Sequence, residues 1–372
     1  SSVESPLLCS YLYRECQCLI KIANCLSRPD SIPAISSLAD GIKTALDSSW
    51  NAEQATYHYW DMDSHNKTYH SIISETVGSE IPALQISFEQ PVRINFQINS
   101  EVETTRRLNI FIHGISKTGK HRVERITPDQ IQWFLGIGFA TSNLTYTHIE
   151  HIEIQGLDNK DKVSITTAGL DFRDITLLMP LWAKISTTTQ SEALVQKTIT
   201  DPQQYWREYG LPTFPNLTQE KYGQLVNQVN IPWNILIGEG LLYYGFRSET
   251  ATLITRIMKG IIQNLKSEKA FLRYFDSNSG MGFGDKNSLG GFPPLKLFLD
   301  TLGVHIYSSK KIALEGFNPF PWAVTIKFKG LTIIRLVDDT QIIFPNNESV
   351  TIDDPEPRII FLDSGSNQIR IE

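Results

Sequence analysis

Most residues suited to chemistry fall between Asn230 and Gly303, with a shorter group at Asp201–Thr213. Glu208, Glu239, Asp276 and Asp285 are the carboxylates expected near a pocket there. Two carboxylates facing one pocket can divide general acid and general base work between them. Arg273 stands in the same stretch beside Tyr274. A guanidinium stays protonated in proteins and cannot act as a general base. It can hold a carboxylate-bearing ligand through two parallel charge-assisted hydrogen bonds, or pair with Asp276 or Asp285 and tie down the loop between them. Trp206, Trp233 and Tyr274 add aromatic surface, so the candidate binding residues are Trp233, Arg273, Tyr274 and Trp206. The candidate catalytic residues are Asp276, Glu239 and Asp285.

Other constellations give less. No H-E-x-x-H occurs among the eight histidines, and no metal ligand set is assigned. Gly280, Gly282 and Gly284 come without the lysine and serine of a phosphate loop, so they are read as a relaxed backbone. Asp61, Asp63 and His65 lack the glycine and distal glutamate of a calcium loop, and are read as a turn. Cys9, Cys16, Cys18 and Cys25 all fall in the first predicted helix, where Cys9 and Cys16 share one face and Cys18 and Cys25 the opposite one. They cannot converge on one metal, and are expected as free thiols packing both sides of a buried helix. Clustering of this kind points to a reducing, cytoplasmic setting. No cofactor is implied.

The elements that must position the candidates can be read from periodicity. Trp233, Leu236, Ile237, Leu241 and Tyr244 form one helical stripe, and Leu253, Ile254, Ile257, Met258, Ile261 and Leu265 form another. Tyr244-Gly245-Phe246-Arg247-Ser248 between them predicts a tight turn, with glycine closing the first helix and Ser248 capping the second. An aromatic strand and glycine-rich loop follow over Phe271–Gly284, then a helix from about Pro294 to Leu302.

Upstream, Ser5-Pro6 starts a helix that runs to about Leu26 and is apolar nearly all round; Ser31 and Pro33 start its partner. Beyond Gly78 the period changes to two. Val92, Ile94, Phe96 and Ile98 alternate with polar residues, and Leu108, Ile110 and Ile112 repeat the pattern. The expected fold class is therefore a multidomain α+β protein. Its expected segments are helical hairpins at 1–77, an inserted antiparallel β-sandwich at 78–170, further helical hairpins at 171–305, and a small C-terminal β domain at 306–372.

Composition is that of an ordinary globular protein, with 372 residues, 41% hydrophobic and 20% charged. A net charge of −6 argues against a protein built to neutralise phosphates, so nucleic acid is an unlikely partner. No run approaches the roughly 20 apolar residues that span a bilayer, and no membrane partner is expected.

The order of motifs resembles the closing hairpins of the six-hairpin α/α-toroid glycoside hydrolases, particularly the mannosylglycerate hydrolase-like and processing-glucosidase-like groups. In those groups a helix starts with a tryptophan and ends in Y-G, and an E-Y-[FY]-D-P-x-[ST]-G strand and loop follow. The matching residues are Trp233, Tyr244-Gly245, Tyr274-Phe275-Asp276 and Ser279-Gly280. The segment D-P-Q-Q-Y-W-R-E-Y-G-L-P-T at Asp201–Thr213 resembles the family's D-P-x-x-F-x-x-x-Y-G-L-P-S.

The resemblance implies the later part of a toroid acting on an oligosaccharide or glycoside, with inverting chemistry between two carboxylates roughly 6.5–9.5 Å apart. It also implies departures. The family's base glutamate is replaced by Arg273; R-G-P-x-W becomes Val229-Asn230-Ile231-Pro232-Trp233; and the tryptophan of S-W becomes Leu289 after Ser288. The family's acid lies upstream of the part matching residues 5–50. Fewer helices are predicted than six hairpins need, so an upstream segment or a second polypeptide is expected to complete the ring. Two functions follow: a carbohydrate-active enzyme of the inverting type, or a catalytically silent sugar-binding or structural module on the same scaffold.

Overall fold

The computed structural model describes residues 3–78, 81, 84–100, 106–134, 136–215, 223–363 and 366–372. The chain divides into two compact units, one of residues 1–9, 48–50 and 57–172, the other of residues 10–47, 51–56 and 173–372.

In the first unit the period-two segments form two antiparallel sheets. One has the strand order Gln132–Phe134, Ile137–Thr141, Ile94–Asn99, Lys162–Thr167, Ile72–Val77, and the other Ile86–Val92, Tyr146–Gln155, Asn109–Ser116, His121–Ile126. Alternation puts Ile94, Phe96, Ile98, Ile110, Ile112 and Ile165 into one shared apolar core while Asn95 and Gln97 stay outside it. The sheet begins at Ile72, before the change of composition that marked residue 78. Ile72–Val77 has no buried residue, so its alternation is faint, and its pairing with Lys162–Thr167 is what makes it a strand.

The unit also holds an ion pair that no local pattern signals. Arg93 Nε donates to Asp61 Oδ2 at 2.5 Å, and both side chains are 5% exposed. Arg93 Nη1 donates to the carbonyls of Ser142 and Asn143, and Asp61 Oδ1 accepts from the backbone N–H groups of Asp63 and Ser64. The Asp61–Ser64 segment is a turn organised around one carboxylate.

In the second unit the hairpin read from sequence spans Ile231–Tyr243 and Arg247–Glu268, with Gly245 at φ +87 between them. Ser248 is not the cap expected of it: the second helix begins at Arg247, and the residue before it, Phe246, makes no capping bond from its side chain. The strand Leu272–Asp276 lies between Gln228–Asn230 and Gly282–Lys286 in an antiparallel sheet, and Phe275 packs against Gly260 of the longer helix. Gly240 matters for a different reason. A Cβ there would sit 2.8 Å from Trp182 N and 2.9 Å from Leu181 C, so only glycine lets the Met179–Ala183 helix approach this closely.

Past the Leu295–Leu302 helix come two four-stranded antiparallel sheets, Val304–Ser308 with Lys311–Leu314, Arg358–Leu362 and Ile369–Ile371, and Val324–Phe328 with Leu331–Arg335, Thr340–Ile343 and Ser349–Ile352. Their core residues join Ala251, Ile254 and Leu297 of the helices in one apolar cluster.

The first helix, Pro6–Cys25, corrects the expectation of a buried helix. Cys16 and Ala23 are buried, but Leu12, Leu19, Ile22 and Leu26 along the adjoining flank are exposed, and Cys18 and Cys25 on the opposite side are exposed as well. A helix that is apolar all round does not tell which side a neighbour covers. All four cysteines are free thiols. Burial, and then the Glu4 carboxylate, raise the Cys9 thiol above its ordinary pKa. Among the described residues, no group of three or more His, Cys, Asp or Glu side chains could hold a metal ion, and no helix is long and apolar enough to cross a membrane.

Candidate functional site

The candidates lie around the start of the Ile231–Tyr243 helix and the strand beside it. Asn230 ends a short strand paired with Tyr274 and caps the helix by accepting the Trp233 N–H at 3.2 Å. Proline at the second helical position suits this start, because the first N–H groups of a helix have no internal partner. Asn234, fully buried one residue beyond Trp233, accepts from Leu211 N–H and donates to the Leu211 carbonyl. This fixes the Tyr-Gly-Leu-Pro segment against the helix.

Arg273 comes from the middle of the Leu272–Asp276 strand. A bulge opposite it, with Gly284 at φ +83, puts two residues of Gly282–Lys286 across from one, and turns Asp285 toward Arg273. Arg273 Nη1 donates to Asp285 Oδ2 at 3.2 Å, with the side chains 50% and 75% exposed. The guanidinium also lies 5.0 Å from the Tyr274 ring centre, and the Tyr274 ring is tilted against Phe283. The Cβ position of Gly290 is 3.9 Å from both Arg273 Cγ and Pro232 Cγ, so Arg273 borders the first turn of the helix that carries Trp233. Trp233, Arg273 and Tyr274 therefore come from adjoining elements, with Arg273 open to solvent and the two aromatic rings half-buried.

The remaining candidates are placed elsewhere. Asp276 ends the strand and is occupied by its own turn: Oδ1 accepts from Asn278 N–H, Ser279 N–H and the Ser279 hydroxyl. Buried Asn264 holds the other side of that turn, donating to the Gly280 carbonyl and accepting from Gly282 N–H, and Tyr209 lies under Gly280, where a side chain would collide with its ring. Asp276 is three residues beyond Arg273, about 10 Å along an extended strand. Glu239 is nine residues along the helix from Asn230, about 13 Å of helical rise from the end that carries Trp233. Its Oε2 accepts the Trp182 indole N–H at 3.1 Å. Trp206 is covered by Arg256, whose guanidinium lies 4.6 Å from the ring centre.

Sequence reasoning missed the group around Trp182. Arg14 lies 4.8 Å from the Trp182 ring centre, Tyr11 meets it edge-on at 5.3 Å, and Lys184 is 3.8 Å from the Tyr243 ring centre. Burial, then Arg14 and Lys21, push the Lys184 ammonium below its ordinary pKa, while Glu239 acts the other way. The only signal was one tryptophan in a short proline-started helix, Met-Pro-Leu-Trp-Ala-Lys, with no spacing that ties it to Glu239.

No protein-family model matches the chain, and no curated protein matches it. Solved structures do. A GH63 mannosylglycerate hydrolase from Thermus thermophilus, in complex with Tris and D-glycerate, is similar at a TM-score of 0.44 and 14% identity, over 80% of this chain and 46% of that one. A neutral trehalase from Saccharomyces cerevisiae is similar at 0.43 and 12%, over 81% and 38%. A sialidase is similar at 0.50 and 10%, over 96% and 25%. The chain thus spans less than half the length of each of these structures, and at such identities the likeness is one of fold alone.

Proposed function

We propose that this chain is a carbohydrate-binding, catalytically silent form of the six-hairpin glycosidase scaffold, and that the face formed by Trp233, Arg273 and Tyr274 takes an acidic sugar such as a uronic acid in an oligosaccharide or glycoside. In this reading segments 1–77, apart from the Ile72–Val77 strand, and 171–305 belong to a toroid of helical hairpins, 78–170 with that strand is a β-sandwich inserted into it, and 306–372 is an appended β domain.

The observation that carries the reading is the state of Arg273. It stands where the resembled families place a base, yet it is a permanent cation, half exposed, with one ion-pair contact, to the solvent-facing Asp285, beside its position over the Tyr274 ring. Exposed pairs of this kind contribute about 0–1 kcal/mol, so a ligand carboxylate can displace Asp285 at little cost and gain a two-point charged contact. Neighbouring aromatic surface suits the apolar faces of a pyranose.

The carboxylates support silence rather than hydrolysis. Asp285 serves Arg273, Asp276 serves its turn, and Glu239 serves Trp182, whereas an inverting pair needs two carboxylates facing one sugar. Titration calorimetry of the wild-type chain with uronic-acid and neutral oligosaccharides tests the reading, alongside a hydrolysis assay on the same sugars. Expected are heat from the acidic series alone and no turnover. Turnover that disappears in Asp276→Asn or Glu239→Gln would return the chain to the enzyme class.

A further inference from the structure

Two partly exposed apolar surfaces of the second unit complement each other. The first is a groove of about 1000 Å³ along the Arg247–Glu268 helix, lined by exposed Ile262 and Trp322 and half-buried Met258 and Phe298, with the core residues Ile254 and Phe320 at its base. Its helical side extends from Ile254 to Ser267, about 20 Å. Lys259 and Lys266 stand on its rim. Lys259 pairs with Glu208, whereas Lys266 has no ion-pair partner among the described residues.

The second surface is an exposed flank of the Pro6–Cys25 helix, beside its buried Cys16 and Ala23 line. Leu12, Leu19, Ile22 and Leu26 are exposed there, and at about 100° per residue they form a single stripe. Exposed Glu15 falls within the same stripe, whereas Arg14 and Lys21 project away from it. An apolar ridge with one embedded acid thus matches an apolar groove with a basic rim. Ridge-into-groove packing and helix-in-groove recognition both use this geometry, and methionine in the floor adapts to the side chains it meets.

We infer that the groove is an interaction surface for a second copy of this chain, whose first helix docks its Leu12–Leu26 stripe against Met258, Ile262 and Trp322, with Glu15 facing Lys266. The contact is heterologous, one surface against a different one, so it builds either a closed ring of copies or an open chain. The inference is independent of sugar binding.

Sedimentation velocity over a wide concentration range tests it. The wild-type chain is expected to gain mass with concentration. Ile262→Glu and Leu19→Glu, both at exposed positions, are each expected to weaken self-association at least about tenfold with an unchanged circular dichroism spectrum. An equimolar mixture of the two variants retains one intact groove and one intact stripe, and is expected to stop at the heterodimer. Glu15→Lys weakens assembly, and Lys266→Glu in the same chain restores it. A wild-type monomer at every concentration, assembly that survives Ile262→Glu, or a mixture that stays monomeric overturns the inference. So does a monomeric longer polypeptide in which the groove residues are protected from hydrogen exchange, because the occupant is then another segment of that polypeptide.

Discussion

Two arginine–aspartate pairs in this molecule stand in opposite surroundings. Arg93 and Asp61 are 5% exposed, and their remaining polar atoms are taken up by the carbonyls of Ser142 and Asn143 and the N–H groups of Asp63 and Ser64. Arg273 and Asp285 are 50% and 75% exposed and touch through one contact at 3.2 Å. A buried pair fixes structure because neither partner can be released without leaving a charge in a dry interior. An exposed pair costs almost nothing to open. An arginine's availability to a ligand is therefore set by its surroundings and not by its having an aspartate nearby.

The largest expected effect breaks the buried pair. Arg93→Ala or Asp61→Ala should lower stability by about 3–5 kcal/mol, read as a shift in the denaturation midpoint. A loss below about 1 kcal/mol would remove the contrast. Next comes Asp276, which is as close to Arg273 in sequence as any candidate acid but is committed to its turn. Asp276→Ala should cost about 1–3 kcal/mol through the donors it leaves without a partner, and Asp276→Asn clearly less, since an acceptor oxygen remains.

A pair between the two extremes sharpens the scale. Lys117 and Asp63 are about one-third exposed, and the Lys117 hydrogen bond is the main reason that the Asp63 carboxyl is held below its ordinary pKa, with the Thr145 hydroxyl helping. A depressed carboxyl contributes stability above its unfolded pKa of about 3.9 and loses that contribution as pH falls through the folded value. Lys117→Met should therefore cost about 0.2–1 kcal/mol near neutral pH and remove part of the acid-side loss in a pH series of melts.

How much of this was legible in the sequence depends on the range of the interaction. The stripes on Ile231–Tyr243 and Arg247–Glu268 and the strand at Leu272–Asp276 are written in local periodicity, and so is the alternation of Ile94, Phe96 and Ile98. Partners are not. Asp61 and Arg93 belong to separate elements with no shared pattern, and Trp182 meets Glu239 only because Gly240 allows two helices to touch. The exposed side of the first helix was illegible for a related reason: apolar residues on every side state a capacity for burial without saying which side is used. The candidate face was half legible. The identities of Trp233, Arg273 and Tyr274 stood in the sequence, whereas the bulge that presents Asp285 to Arg273 depends on the backbone at Gly284.

The smallest expected change in stability belongs to the residue with the largest expected change in binding. Arg273→Ala should leave the unfolding free energy within about 1 kcal/mol of wild type, as a surface change does. Calorimetric titration of that variant with a uronic-acid oligosaccharide, beside its melting curve, is the most direct measurement. Lost binding with an unchanged melt is the predicted result. A lowered melting temperature with no change in ligand binding would contradict it, and would make Arg273 a loop tie instead of a ligand contact.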